Sequence, residues 1–278
     1  MINPKVFIII LHFGNPKNTE ECLKSLGNLE YDNFETVVID NVRDNRGFAG
    51  GNNSGIKQAL EKGASYILLL NNDTIVEPNF LKKLVEAGES DKKIGILGPA
   101  IYEYGTNKIH FAGGKVNWLY TRGTHITELK IKSQKSKVVD YITGACLLIK
   151  REVIEKIGLM DEEYFLYCED VDWCLKARKA GYKCVVVSEA KIWHKVSSSA
   201  KAESFSYIYY HTRNGLLLAK KNAPFFIKLL AYLWSFWAFG KQMIKLVFFP
   251  SKKIWAKAIM LGINDFYKRK FGKYENWH

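Results

Sequence analysis

Apolar residues in this chain come in short solid runs that stop at polar turn formers. The clearest is YILLLNNDTIVEP, residues 66–78, which breaks at Asn71, Asn72 and Asp73. A run of that length bounded by turn formers reads as a strand buried on both faces, with Asp73 just past its carboxyl end. Similar runs predict strands over Val6–Leu11, over Thr36–Ile39 before Asp40 and Asn41, over Ile94–Leu97, through Ile149, and over Cys184–Val187. Helical patterns fall between them. One follows HFGNPKN, with Asn18 and Glu21 as its capping pair and Cys22, Leu23 and Leu26 as its apolar face. Others run from a cap at Asn53 or Ser54 to about Lys62, from Pro78 to about Ala87, from about Arg151 to a stop at Gly158, and from Glu169 to near Gly181. Strands and helices alternating at this spacing predict an α/β fold with a mostly parallel sheet. Residues 100–140 lack helical periodicity and predict hairpins or a long excursion, with KIKSQKSK (130–137) a solvated charged loop.

The end of the chain has a different pattern. From Phe225 to Phe249 it is aromatic and aliphatic, but Lys228, Lys241 and Lys245 interrupt it, leaving too short a clean run for a membrane span. Amphipathic helices lying in a membrane surface fit better, with a buried amphipathic cap on the domain as the alternative. The charge agrees with a surface role. Residues 201–278 hold 14 Lys and Arg against 3 Asp and Glu, whereas residues 1–200 hold 27 against 25, so nearly all of the net +13 lies in the tail. An anionic partner is implied, either a membrane surface or a nucleic acid.

The remaining composition narrows the class. With 278 residues, 47% of them hydrophobic, the chain can bury a full core as one large domain or one domain with an appendage. Five cysteines with no CxxC pair indicate neither a disulfide framework nor a zinc site and fit a reducing cytosol. The opening MINPKVFIIILHF has a short apolar segment followed by His12, Phe13 and Gly14 rather than a cleavage site, so it reads as a strand.

Three features carry candidate chemistry. Asp73, at the edge where open α/β sheets bind ligands, could share a hard cation with phosphate oxygens; its plain alternative is a turn. DNRGFAGGNNSG (44–55) places Gly47, Gly50, Gly51 and Gly55 where the backbone is open to close approach, although it is not the dinucleotide fingerprint GxGxxG. Glu169, Asp170 and Asp172 crowd one helix start beside Tyr167 and Trp173. The helix dipole accounts for one or two acids there, and a third invites a general base. His194, after the last strand, is either structural or a ligand.

Taken together, NRGFAGGNNSG (45–55), LLLNNDTIVEPNFL (68–81), TGACLLIKREVIEKIG (143–158), EDVDWCLKARKAG (169–181) and IWHK (192–195) resemble the family-two glycosyltransferases, particularly the rhamnosyltransferase-like members. The resemblance covers roughly residues 5–215. It implies a GT-A type nucleotide-binding fold over 1–215, and the charge and aromatic pattern make residues 216–278 a basic, aromatic-rich helical tail expected on the cytoplasmic face of the membrane. It also implies a nucleoside diphosphate sugar donor, a divalent metal (Mg²⁺ or Mn²⁺), inversion at the anomeric carbon, and a saccharide or lipid-linked saccharide acceptor in cell-surface polysaccharide assembly. By matching motif, Asp73 and His194 are the metal ligands and Asp170 is the base. Leu11, Asp40, Asn41, Gly47, Gly50, Gly51, Asn53 and Asn72 surround the donor nucleotide, and Arg213 with Asn214 faces donor phosphates or acceptor. Two departures border the nucleoside pocket: only Val42, Arg43 and Asp44 separate Asp40–Asn41 from Asn45, and HFG follows the first strand where NYN is commoner. A nucleotidyltransferase acting on sugar phosphates, or a non-catalytic protein with a nucleic-acid-binding tail, is the alternative; nucleic acid is the less favoured partner.

Overall fold

Strand β1, Val6–His12, is apolar on both faces because both faces are covered. It lies between β2 (Phe34–Asp40) and β3 (Tyr66–Asn71), parallel to each, with His12 opposite Asp40 and Leu11 opposite Asn71. β2 alternates between half-buried and exposed positions, as an edge strand covered on one side does. The structure is a computed structural model that describes residues 3–128, 135–195 and 204–274.

Three helices connect these strands and the next. α1 (Pro16–Leu26) starts one turn earlier than Asn18 would place it: Asn15 is the cap, its side chain accepting from the Lys17 amide, and Pro16 takes the first position. α2 (Gly47–Glu61) likewise begins well before Asn53 and Ser54, which are interior residues of that helix and do not cap it. β4 (Thr74–Val76) and α3 (Phe80–Ser90) follow, the latter two residues past Pro78.

Beyond α3, β5 (Ile94–Glu103) is longer than its apolar core. The expected excursion contains β6 (Ile109–Phe111), a hairpin of β7 (Gly114–Asn117) and β8 (Arg122–His125), and β9 (Ser136–Val139). The expected charged loop at 130–137 is therefore partly strand, and its residues 130–134 lie outside the described residues. β10 (Cys146–Lys150), α4 (Arg151–Ile157), α5 (Glu169–Lys179) and β11 (Lys183–His194) complete the alternating part. The main sheet runs β2-β1-β3-β10-β5-β11-β4, with β6 on β5 and β9 on β11. β2, β1, β3, β5 and β11 point the same way, so their carboxyl ends share one edge.

Three helices end the chain: α6 (Phe205–Asn222), α7 (Phe225–Phe248) and, after a short 3-10 turn, α8 (Lys253–Tyr267). The boundary expected at 215/216 falls inside α6. Leu216–Ala219, Ala231, Ala238, Ile263 and Phe266 all pack into the same core as the sheet. α7 meets that core through a narrow seam of Ala231, Ser235, Ala238 and Gln242, while Phe225, Phe226, Phe236 and Trp237 are each more than 60% exposed. Among the described residues no helix is long and apolar enough to cross a membrane. All five cysteines are free thiols and buried.

Candidate active site

Two carboxylates stand at the sheet edge, held in different ways. Asp73 follows β3 directly, and β11 returns alongside so that His194 pairs with Thr74 and the Lys195 amide donates to the Asp73 carbonyl at 2.9 Å. This ladder brings His194 Nε2 to 2.9 Å from Asp73 Oδ1. Adjacent ligands of an octahedral ion with bonds of ~2.1 Å lie about 3 Å apart, so the two atoms are spaced as neighbours in one coordination shell. Asp73 is buried and His194 half-buried, and His194 Nδ1 has no hydrogen-bond partner among the described residues. A carboxylate oxygen and an imidazole nitrogen, with no third His, Cys, Asp or Glu in reach among the described residues, fit an ion that takes its other ligands from phosphate and water. His110 and His125, which nothing in the sequence marked, pack nearby, with His110 edge-on to His194 at 5.8 Å and to His125 at 5.3 Å. Burial keeps both neutral, His125 with a pKa pushed down to about 4.

Asp170 sits in the first turn of α5. Its Oδ2 accepts from the Gly144 amide at 2.9 Å and its Oδ1 from Val171 at 2.8 Å. One residue on, the Ala145 carbonyl accepts from the Asn71 amide at 3.0 Å, which ties the position of Asp170 to the end of β3 and hence to Asp73. Burial raises the pKa of Asp170, against the backbone amides that favour its charged form. Glu169 is fully inside, its Oε2 has no partner among the described residues, and burial together with the charge of Asp170 holds its carboxyl far above the usual range. Asp172 is spent structurally on Tyr164, Asn222 and Lys176.

The approach to Asp170 is strained. Phe165, Tyr167 and Cys168 have φ of 63°, 68° and 75°, a left-handed conformation that costs a non-glycine residue of order 1–3 kcal/mol. Arg213 and Asn214 clamp this segment. The Asn214 amide donates to the carbonyls of Tyr164, Leu166 and Tyr167, and Arg213 to those of Glu163, Tyr164 and Gly272 while packing against Tyr209 and Tyr210. Both residues are buried, so neither faces donor phosphates or acceptor as expected; they hold the backbone that presents Asp170. An Arg–Asn pair set in an apolar helical stretch is the signal that could have found them, since such groups need internal partners.

The glycine-rich segment also differs from expectation. The space a side chain at Gly47 would take is occupied by Phe165, at Gly51 by Leu11 and Asn41, and at Gly55 by Ile9. These glycines let α2 lie against β1 and the strained segment. Gly50 faces Glu162, and Asn53 is buried with its amide on Met160 and Glu162. Asn41 shapes the entry to α2 through Arg46 and Gly47, and Asn72 braces Phe13 and Thr19. Asp40 remains exposed at the end of β2, beside His12.

An open, mostly parallel sheet with its acidic groups at the carboxyl edge defines a GT-A fold, and relatives agree. The chain belongs to the glycosyltransferase-like family 2, whose model matches residues 3–215. It is similar to a dTDP-rhamnosyl transferase RfbF of Shigella flexneri, 28% identical over 68% of this chain and 65% of that protein. It is also similar to an N-acetylglucosaminyl-diphospho-decaprenol L-rhamnosyltransferase of Mycobacterium tuberculosis, 24% identical over 54% of this chain and 53% of that one. The chain thus spans less than two thirds of each. The fold is shared with the mannosyltransferase PcManGT of Pyrobaculum calidifontis, solved with GDP-Man and Mn²⁺, at TM-score 0.58 and 12% identity over 97% of this chain and 88% of that one.

Proposed function

We propose that the chain is an inverting, metal-dependent glycosyltransferase of cell-surface polysaccharide assembly, moving a sugar from a nucleoside diphosphate donor to a saccharide acceptor. The observation that carries this is the linkage of Asp73–His194 to Asp170 through Ala145 and Gly144 at one sheet edge. Asp170 takes the proton of an acceptor hydroxyl. The oxygen so freed bonds to the anomeric carbon from the face opposite the leaving group, the carbon–phosphate oxygen bond breaks, and the nucleoside diphosphate departs. Asp73 and His194 would hold a divalent cation, which supplies charge stabilisation to the departing diphosphate. A nitrogen donor beside an oxygen donor favours Mn²⁺ over the more oxygen-seeking Mg²⁺. Leu11, Asp40 and Asn41 frame the nucleoside side of the edge. The RfbF similarity supports dTDP-rhamnose as the first donor to test.

The acceptor is lipid-linked and the tail docks on the anionic leaflet that carries it. Support comes from Trp234, Phe236, Trp237 and Phe248 exposed on α7, with Lys241 and Lys245 on the same helix. Aromatic rings supply apolar burial there, and each lysine near an anionic surface adds about 1 kcal/mol. The test is product analysis with dTDP-rhamnose, Mn²⁺ and vesicles carrying a lipid-linked acceptor. Release of nucleoside diphosphate without pyrophosphate, with inverted anomeric configuration in the product, is expected. Pyrophosphate release would make the chain a nucleotidyltransferase, and retention of nucleic acid with no donor cleavage would make it a binding protein.

A further inference from the structure

The end of α8 and the residues that follow it wall a cavity of about 440 Å³, in which none of Asp73, Asp170 and His194 takes part. Tyr209, Phe271 and Tyr274 give it aromatic faces, the Tyr209 and Tyr274 rings lying 4.7 Å apart. Arg213, Arg269, Lys270 and Lys273 give it four positive charges against the single carboxylate of Asp265. That carboxylate is already engaged: the Tyr209 hydroxyl donates to one oxygen at 2.8 Å and the Asn264 amide to the other at 3.2 Å. Among the described residues, no acid pairs with any of the four cations.

Two of these charges are held at a cost. Arg213 is only 1% exposed, and its hydrogen bonds go to neutral acceptors: the carbonyls of Glu163, Tyr164, Lys270 and Gly272, the Asn214 amide oxygen and the Tyr209 hydroxyl. A buried guanidinium without a counter-charge is unfavourable, and an anion beside it offsets that. Arg269 is strained instead. The Lys270 amide donates to the Asp265 carbonyl at 2.8 Å and the Arg269 amide to that of Phe266 at 3.2 Å, a Schellman motif closing α8. Arg269 therefore sits at φ 56°, the left-handed position that glycine usually fills. Glycine would close the helix with less strain but bring no charge to the cavity.

Unneutralised positive charge beside aromatic walls suits an organic phosphate. Its oxygens take the N–H donors of exposed Arg269, Lys270 and Lys273, and its carbon part packs on the rings. The volume lies in the range of small-molecule sites. We infer that this cavity binds an organic phosphate, either a soluble phosphate ester or the headgroup of an anionic phospholipid. Occupancy also braces the turn that carries Asp170. Arg213 holds Lys270 and Gly272 on one side and Glu163 and Tyr164 on the other, and the Gly272 amide donates to the Glu163 carbonyl at 2.8 Å.

Binding is read without donor, acceptor or metal, so the result is separate from whether the chain transfers sugar. Calorimetry on the full chain in EDTA, at matched ionic strength, uses inorganic phosphate, glycerol 3-phosphate, and phosphatidylcholine vesicles with and without phosphatidylglycerol. Glycerol 3-phosphate binding about tenfold tighter than inorganic phosphate identifies a soluble ester; binding confined to phosphatidylglycerol vesicles identifies a lipid headgroup. Arg269→Gly keeps the left-handed turn, so it should melt no lower than wild type yet lose about tenfold in affinity, the weight of one charge-assisted contact. Lys273→Gln, outside the helix cap, should weaken binding similarly. Lys268→Gln removes an adjacent exposed cation that does not line the cavity and should leave affinity unchanged. Amide exchange over residues 163–168 should slow with ligand in wild type and not in Arg269→Gly. Affinity that survives both Arg269→Gly and Lys273→Gln, or that Lys268→Gln lowers as much, overturns the site, as does a wild type that binds no probe. Amide exchange that stays the same with ligand bound overturns the bracing.

Discussion

Asp73 and Asp170 are both carboxylates at one sheet edge, yet they are held at different cost. Asp73 is placed by regular β structure: β3 ends, β11 returns beside it, and His194 falls opposite by register. Neither Asp73 nor His194 has a left-handed backbone, although β11 carries a register shift between Val187 and Lys191. Asp170 is presented by a turn with three left-handed non-glycine residues, and that turn keeps its shape because Arg213 and Asn214 occupy its carbonyls. Arg213 is in turn anchored to the segment after α8 through Gly272. A ligand for a cation can sit on a strand end, because a ladder repeats its geometry reliably. The proposed base, Asp170, needs reach past the sheet, and the helices at the end of the chain stabilise the strain this requires.

The largest effect should come from the base. Asp170→Asn preserves shape and cannot take a proton, so transfer should fall about 10² to 10⁴-fold while donor affinity holds. Initial rates and a donor titration check both halves; transfer that survives this change but fails in a Glu169 or Asp172 variant would move the base. Next comes Asp73→Ala, expected to remove the Mn²⁺-dependent part of donor binding by calorimetry, with His194→Ala weakening it less. Equal donor affinity in Asp73→Ala and in wild type plus chelator is the expected match, and wild-type affinity indifferent to chelator would sink the pair as a metal site. Asn214→Ala tests the contrast between the two carboxylates. It removes the two N–H donors shared among three carbonyls and the acceptor of the Arg213 Nε–H, at about 1 kcal/mol each, so denaturant unfolding should report a loss of about 3 kcal/mol. Transfer should drop with metal-dependent donor binding largely kept; the reverse pattern would break the division of labour.

The smallest effect concerns pH. As the proposed base, Asp170 works ionised, and burial raises its pKa, so the fraction ready for proton transfer declines at a higher pH than for an ordinary carboxylate. The acid limb of the kcat/KM profile should therefore lie above ~4, the usual carboxylate range. Glu169 stays protonated while Asp170 ionises, so Glu169→Gln should shift that limb by less than about one unit. A large shift would show that the pair shares its proton.

Much of this was legible in the sequence. Solid apolar runs gave β1, β3 and β11, and acids at run ends marked the edge, because a two-sided buried strand leaves few other patterns. The start of α2 is hidden in the sequence because glycines normally argue against helix, and the packing of Gly51 on Leu11 and Gly55 on Ile9 explains them. Asn53 and Arg213 carry motif positions whose side chains are consumed by distant backbone groups. Such contacts span 107 and 49 residues; the apolar helical setting of Arg213 signals that it needs internal partners, but nothing local says which.

The five buried thiols have a practical consequence. Because each native cysteine is enclosed, a single cysteine introduced at Trp237, on the exposed side of α7, would be the accessible one in an otherwise unaltered protein. A solvent-sensitive fluorophore attached there would read the arrival of that helix at a lipid surface directly, with no cysteine-free background to engineer first.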